Sequence, residues 1–433
     1  MVGEWRDVAL EDVADELTVG YVGPMASEYV DDGVPFLRSL NVEPLQINKN
    51  DLKFITPEFH QRIQKSRLTP GDVVIVRTGK PGACSVVPDW LTDANCSDLV
   101  IVRCGKQLNN RFLAYYVNTV ASGHVAAHLV GAVQQHFNVG SARTLRLKLP
   151  PLAEQKAIAA VLGALDDKIE LNRRMNATLE ATARALFQSW FVDFDPVRAK
   201  LDGRKPVGMD EPTAALFPDS FEESEAGHIP KGWEVCSLAK KIELLSGGTP
   251  KTSEPSYWDG DIPWYSVKDA PSETDVWVIQ TEKCITKLGI KNSAAQILPK
   301  GSTIISARGT VGKLALVGSP MAMNQSCYGV RGVKGYGDFF THFVLRQATT
   351  SLQQRTHGTV FDTITRQTFE TLDCIFPPEN LTQIFDRAVS PLLTQIHANL
   401  HQSRTLATLR DTLLPELLSG GLQINKQLDL THD

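Results

Sequence analysis

One ordered set of residues occurs twice in this 433-residue chain, and that repetition constrains the fold more than any other feature. Trp5 and Leu10 return as Trp233 and Leu238, 228 positions later, and Pro35-Phe36 returns as Pro263-Trp264 at the same offset. Gly71, Gly79 and Gly82 return as Gly301, Gly309 and Gly312 at 230. Asn95-x-Ser97 returns as Asn324-x-Ser326 at 229. Gly131, Leu145 and Pro150-Pro151 return as Gly358, Leu372 and Pro377-Pro378 at 227. The order never breaks. Solenoid repeats run to about 20–50 residues, so this period means two copies of a whole unit.

Each copy has two parts. The first, residues 1–148 and 229–376, mixes short apolar runs with glycine and proline punctuation. Asp72-Val73-Val74-Ile75-Val76 and Leu99-Val100-Ile101-Val102 read as strands, and Ser302-Thr303-Ile304-Ile305-Ser306 and Tyr328-Gly329-Val330 are their copies. Helical stretches such as Arg111–Val120 follow. The pattern predicts an α+β domain with a mostly antiparallel sheet.

The second part, residues 149–194 and 377–422, is helical. Ile158, Leu162, Leu165, Ile169, Asn172, Asn176, Leu179, Ala183, Leu186 and Trp190 alternate at spacings of four and three, a heptad seam. Adding 227 gives Phe385, Val389, Leu392, Ile396, Asn399, Ser403, Leu406, Arg410, Leu413 and Leu417. Asn172 and Asn399 share a seam position, where a buried amide fixes register because only a polar partner satisfies it. The spacing predicts a first helix over 153–191, about 58 Å long, paired with the second. Pro391 and Pro415 predict a late start, a kink or a break in the second helix. Residues 195–228, with four prolines and the acidic Glu222-Glu223-Ser224-Glu225, read as a surface linker, and 423–433 as a tail.

Composition narrows the class. Hydrophobic residues at 42% and charged residues at 21% fit a globular chain. No run reaches the roughly 18 apolar residues of a membrane helix. The N-terminus lacks the basic and apolar regions of a secretory signal. The seven cysteines form no CxxC pair, which predicts free thiols in a reducing cytoplasm. His124 and His128, like His397 and His401, are four apart, but neither pair encloses the Glu of an HExxH site, so no metal is expected. The net charge of −5 is uneven. Residues 1–148 hold 15 Lys and Arg against 16 Asp and Glu, whereas residues 228–376 hold 16 against 13. Groove contacts depend on local clusters, so the total does not exclude DNA.

Candidate contact residues fall in equivalent loops. Gly309-Thr310-Val311-Gly312-Lys313-Leu314 lacks the first glycine and the hydroxyl residue of a phosphate-binding loop, so it reads as a tight turn between strands. Basic and hydroxyl residues beside these turns, Arg77, Thr78 and Lys80 in one copy and Arg308, Thr310 and Lys313 in the other, suit phosphates. Arg38, Ser39 and Asn41 correspond to Ser266 and Lys268 in an upstream loop. Gln134, Gln135 and His136 correspond to the loop holding Thr363, with Arg355 upstream of it. Such side chains read base edges in the major groove. There is no GxSxG, no GxGxxG and no NPPY or DPPY tetrapeptide, so catalysis by this chain is unsupported.

Four stretches resemble the specificity subunit of type I restriction–modification systems. They are Leu149-Pro150-Pro151-Leu152-Ala153-Glu154-Gln155-Lys156 leading to Leu165-Asp166-Asp167-Lys168-Ile169, Leu186–Phe194, Gly227-His228-Ile229-Pro230-Lys231-Gly232-Trp233, and Leu413-Leu414-Pro415-Glu416-Leu417-Leu418-Ser419-Gly420. The second copy departs at Glu379-Asn380-Leu381-Thr382-Gln383, where the Glu-Gln pair is lost. The resemblance implies two globular target-recognition domains separated by two long antiparallel helices, a coiled-coil spacer, with pseudo-twofold symmetry. It implies a bipartite double-stranded DNA site read one half per domain. It also implies docking of two modification methyltransferase subunits and of restriction/translocase subunits. S-adenosylmethionine, ATP and Mg are then expected on those partners, with no cofactor, metal or membrane for this chain. Two other readings are a coiled-coil scaffold without DNA specificity and a self-contained methyltransferase or nuclease.

Overall fold

The computed structural model describes residues 4–127, 136–355 and 363–424. It divides into two compact units, one of residues 1–168 and 405–433, the other of 169–404.

In the first unit, strands Cys84–Val86, Val73–Val76, Leu99–Cys104 and Ala14–Val19 lie in that order, all antiparallel. The central strands are apolar throughout because both faces are buried. Val73, Ile75, Val100 and Val102 pack with Phe112 and Tyr116, while Val74, Val76, Leu99 and Ile101 enter a second cluster. A five-stranded sheet includes one parallel pair, Ala94–Cys96 beside Val34–Leu37. Strand Arg6–Ala9 closes the domain on Arg146–Leu149, the strand that leads into the first long helix.

The second unit repeats this plan. Thr303–Ser306 lies between Leu314–Val317 and Cys327–Gly332, and Cys327–Gly332 pairs outward with Ile242–Ser246. Ala322–Met323 runs parallel to Trp258–Tyr265, and Glu234–Ser237 closes on Asp373–Phe376. The repeated glycines have the same left-handed backbone: φ is 92° at Gly71 and 93° at Gly301, and 93° at Gly82 and 84° at Gly312. Their N–H groups also make matching bonds, Gly71 to Val87 O and Gly301 to Val317 O, both 2.9 Å. The turn at Gly309–Gly312 joins antiparallel strands, as its sequence predicts; a phosphate-binding loop would lead into a helix.

One sequence match is shifted. Tyr21 N donates to Cys96 O, and Gly248 N donates to Met323 O, so Cys96 corresponds to Met323 and Asn95 to Ala322. The second copy carries one extra residue before its next strand, and Asp98 corresponds to Ser326. Asn95 is fully buried, donating to Ile63 O and Ser66 Oγ, both at 3.1 Å.

The first long helix spans Leu152–Phe191 and the second Glu379–Ser419. Of the outcomes its prolines predicted, a late start and a break are absent from the second helix. Pro391 and Pro415 are exposed, as are Arg387 and Asp411 one turn before them, so the carbonyls freed by proline lie on the solvent side. The helices pair antiparallel within each unit. In the first, Arg410 donates to Asp166 at 2.6 Å, and Leu162 packs in one core with Leu414 and Leu417. In the second, Asn172 Nδ2 donates to Ser403 Oγ at 3.1 Å and to Gln402 Oε1 at 2.9 Å, and Asn399 Nδ2 donates to Asn176 Oδ1 at 2.9 Å. Adding or subtracting 227 turns the Asn172–Ser403 pairing into the Asn399–Asn176 one. No seam residue is exposed. Leu162, Asn172, Val389, Ile396 and Asn399 are buried, while Leu165, Ile169, Leu179, Leu186, Leu392, Leu406 and Leu413 are partly buried.

The segment 195–228 is more than the expected surface linker. It forms helices Asp195–Leu201 and Glu211–Ala215 and the hairpin Phe221–Ser224 with Gly227–Pro230. Val197 and Phe217 are 0% and 2% exposed and belong to the second unit's core, packing that polar-looking composition conceals.

Candidate nucleic-acid interface

The predicted contact residues sit at the ends of the central strands of each domain. In the first domain, strand Val34–Leu37 runs into the 3-10 turn Ser39–Asn41, and strand Val73–Val76 runs into the glycine turn. The link between them is Asp98, which precedes the strand Leu99–Cys104. Its carboxylate accepts from Ser39 Oγ at 3.0 Å and from Thr78 Oγ1, and lies 3.9 Å from the Arg77 guanidinium. Phe137 N donates to Arg77 O at 2.9 Å, which brings the half-buried His136 beside the same turn. The structure therefore gathers Ser39, Arg77 and Thr78 around one carboxylate, with His136 next to the strand end that carries Arg77. Lys80 stands exposed, with no ion pair among the described residues.

Arg38 and Asn41 are placed otherwise. Arg38 binds Asp51 at 2.7 Å, with Lys53 on the other oxygen at 2.8 Å. These two cations hold the exposed Asp51 carboxyl down at about 2. Asn41 is fully buried: its Nδ2 donates to Asn50 O at 2.9 Å and its Oδ1 accepts from Arg38 N at 3.0 Å. Its amide is used up shaping the loop, so Asn41 is withdrawn as a base-reading residue. Gln134 and Gln135 lie outside the described residues.

The second domain builds the same loops with other side chains. Ser266 N and Oγ both donate to Asp269, at 2.8 and 2.9 Å, closing the turn Val267–Asp269. This occupies Ser266 with the turn itself and leaves Lys268 exposed. Ser306 Oγ donates to Thr310 O at 2.5 Å and accepts from Lys313 N at 2.8 Å, so one buried hydroxyl shapes the glycine turn. Arg308, Thr310 and Lys313 are all exposed on it. Arg308 also bridges to Thr363 as an antiparallel pair, and Ile364 N donates to Ala307 O at 2.9 Å, the counterpart of Phe137 and Arg77. Arg355 ends the helix Asp338–Arg355, and its side chain lies outside the described residues.

Sequence reasoning missed Asp51 and Asp98. Asp98 has φ of +56°, a conformation that Asp tolerates better than most residues, so Ser97-Asp98 between two strands was a readable turn signal. Among the described residues no group of three or more His, Cys, Asp or Glu is arranged to hold a metal. His397 instead faces Gly318 O at 3.1 Å. His128 lies outside the described residues. All seven cysteines are free, and burial pushes the Cys104, Cys327 and Cys374 thiols up to about 12, away from nucleophilic use.

A family model described as the type I restriction modification DNA specificity domain matches residues 3–181 and again residues 230–402. The chain belongs to that family. The two matches start 227 residues apart, at 3 and 230, the offset of the helical repeat. The chain is 28% identical over 321 residues to the type I restriction enzyme HindI specificity subunit of Haemophilus influenzae, covering 65% of this chain and 70% of that one. It is 25% identical over 318 residues to the MjaIX specificity subunit of Methanocaldococcus jannaschii, covering 72% and 67%. A crystal structure of the type I restriction–modification S subunit from M. genitalium superposes with a TM-score of 0.59 over 96% of both chains at 14% identity, a likeness of fold. This type I specificity subunit is thus a DNA sequence-recognition protein with two target-recognition domains. No helix among the described residues is long and apolar enough to cross a membrane.

Proposed function

We propose that this specificity subunit reads a bipartite double-stranded DNA site, one half-site per domain, and performs no catalysis itself. The carrying observation is the duplicated loop set, in which each domain presents its 3-10 turn and its glycine turn at the ends of equivalent strands. Two similar readers joined by uninterrupted helices of 40 and 41 residues call for two half-sites at a set spacing. Arg77, Thr78, Lys80, Arg308, Thr310 and Lys313 serve the phosphate backbone. Ser39, His136, Lys268 and Thr363 lie nearest the bases. Two modification subunits, supplying S-adenosylmethionine and methylating adenine, dock on the helices, and restriction/translocase subunits bring ATP and Mg. The complex works in the cytoplasm.

Co-expression with a modification subunit, followed by genome-wide mapping of methylated adenines, tests this reading. One bipartite motif is expected. Inserting one helical turn within residues 170–185 should change the unread spacer and leave both half-sites intact. An unchanged spacer sinks the ruler role, and methyl transfer by the purified chain alone sinks the non-catalytic one.

A further inference from the structure

The two 3-10 turns are the same device with different tips. In each, the residue before the turn donates its backbone N–H to the side chain three positions on: Arg38 N to Asn41 Oδ1 at 3.0 Å, and Ser266 N to Asp269 Oδ2 at 2.8 Å. The return bonds also match, Asn41 N to Arg38 O at 2.8 Å and Asp269 N to Ser266 O at 2.9 Å. Superposing these bonds pairs Leu40 with Lys268. Leu40 is 51% exposed, although Asn41 beside it is fully buried. Lys268 is likewise exposed, with no ion pair among the described residues.

Neither tip contributes to a core, and both are held on rigid backbone. Ser39 is tied to Asp98 at 3.0 Å, Asn41 to Asn50 O at 2.9 Å, and Asn48 Nδ2 donates to Leu40 O at 3.1 Å. In the second domain, Asn324 N donates to Tyr265 O at 2.9 Å at the root of the turn. A preformed loop loses little conformational freedom on binding, so its tip suits recognition. The chemistry of the tips differs in kind. In the major groove an apolar side chain distinguishes the thymine methyl group, whereas a lysine ammonium donates to guanine N7 and O6.

Resting on the reading that these loops face DNA, we propose that position 40/268 is a specificity-determining position in both domains. Leu40 contacts a thymine methyl in the first half-site. Lys268 donates to a guanine in the second.

The test uses the complex of this chain with its modification subunits and a duplex carrying the methylation motif mapped for the wild type. Uracil replaces each thymine singly, removing only the methyl, and 7-deazaguanine replaces each guanine singly, removing only N7. Wild type should lose about 3- to 10-fold affinity at one thymine of one half-site and about tenfold at one guanine of the other. L40A should be indifferent to that uracil, and K268A to that 7-deazaguanine. In the methylation maps, L40K and K268L should each change one base of one half-site and leave the other half-site as it was. The proposal is overturned if the bipartite motif is present but the variants respond to every modified base as wild type does, or if the half-sites lack the thymine or the guanine. Absence of any bipartite motif would bring down the underlying reading as well. Both alanine variants truncate exposed side chains, so folding does not confound them.

Discussion

The helix that packs on each central sheet is held at its N-terminus by a long helix in two chemically different ways. In the first domain, Gln155 does this with a neutral amide. Its Oε1 accepts from Asn109 N at 2.8 Å, and its Nε2 donates to Gln107 O and Pro150 O, both at 2.9 Å. In the second domain, the equivalent residue is Thr382, whose hydroxyl turns back within its own helix to donate to Glu379 O at 2.8 Å. The task passes to Asp386, one turn further on, which accepts from Phe340 N at 2.7 Å and Phe339 N at 3.3 Å. The loss of the Glu-Gln pair in the second copy thus marks a substitution of parts with the contact kept. The packing beside these contacts differs too. Phe187 lies within 5.9 Å of the rings of Phe340, Phe343 and Phe385, whereas its repeat counterpart in the first unit is the aliphatic Leu414, in a mixed cluster with Ile158, Leu162, Phe112 and Tyr116. Duplicated folds therefore conserve where contacts fall more strictly than which groups make them.

The largest expected effect breaks this packing comparison. Phe187→Ala empties the centre of an aromatic cluster and should destabilise the second unit by about 4 kcal/mol. Leu414→Ala, which removes a smaller side chain at a position 9% exposed, should cost the first unit about 2 kcal/mol. Denaturant unfolding of the full chain, followed by hydrogen exchange to assign each loss to its unit, measures both. Equal losses would show that an aromatic ring at this repeat position adds nothing over an aliphatic side chain.

The two N-terminal contacts should differ in their response to pH. Burial lifts the Asp386 carboxyl to about 6. Its folded value exceeds its unfolded one, so the stability it contributes is full below about pH 4 and is lost as pH rises through 6. Buried His342, held down at about 3, has the opposite sign: its contribution is present above 6.5 and lost as pH falls toward 3. The two slopes cancel over much of pH 4–6. Asp386→Asn keeps an oxygen to accept from Phe340 N, gives up the longer bond from Phe339 N and removes the titrating carboxyl. It should stabilise the second unit at pH 7 by about 2 kcal/mol and unmask a stability that falls as pH drops below 6.5. The first unit, docked through Gln155, should not respond.

These contrasts also show what spacing can and cannot reveal. The repeat, the seam and the polar centre at Asn172 and Asn399 were legible because each depends on intervals along one chain segment. The neutralising partners were not, because Asp98 meets Ser39 across 59 residues and Asp51 turns back on Arg38 through an irregular loop. Asn41 looked like a base reader because residue type says nothing of burial. The extra residue after Met323 was hidden by a chance match of Asn and Ser. Phe217 escaped notice because one aromatic in a proline-rich segment carries no periodicity.

At the candidate interface, the second domain should dominate non-specific affinity. Arg308 and Lys313 are exposed, with no ion pair among the described residues, whereas Arg38 and Arg77 are partly neutralised. Removing either cation, as Arg308→Ala or Lys313→Ala, should weaken binding to a random-sequence duplex about 3- to 10-fold. Each should flatten the plot of log affinity against log salt by about 0.9. Arg38→Ala should do less, because Asp51 already occupies its guanidinium. Anisotropy titrations between 50 and 200 mM salt separate these cases, and an equal effect of Arg38→Ala would erase the contrast.

The smallest effect is the sharpest test of why the domains differ. Asp98 corresponds to Ser326, so the first domain has a carboxylate where the second has a hydroxyl. Asp98→Ser removes the charge 3.9 Å from Arg77 and frees a cation to meet phosphate. Binding to a random duplex should tighten about two- to threefold at low salt, with a salt slope steeper by about 0.9. Ser39 and Thr78 lose their shared acceptor in the same change, so discrimination at the first half-site should weaken while non-specific affinity grows. The reverse substitution, Ser326→Asp, places a carboxylate beside the turn that carries Arg308 and should flatten the slope. If both variants kept the wild-type slope, Asp98 would be an organiser of its loop alone. If they move in opposite directions, a single carboxylate sets how far the first domain trades grip on the backbone for discrimination among bases.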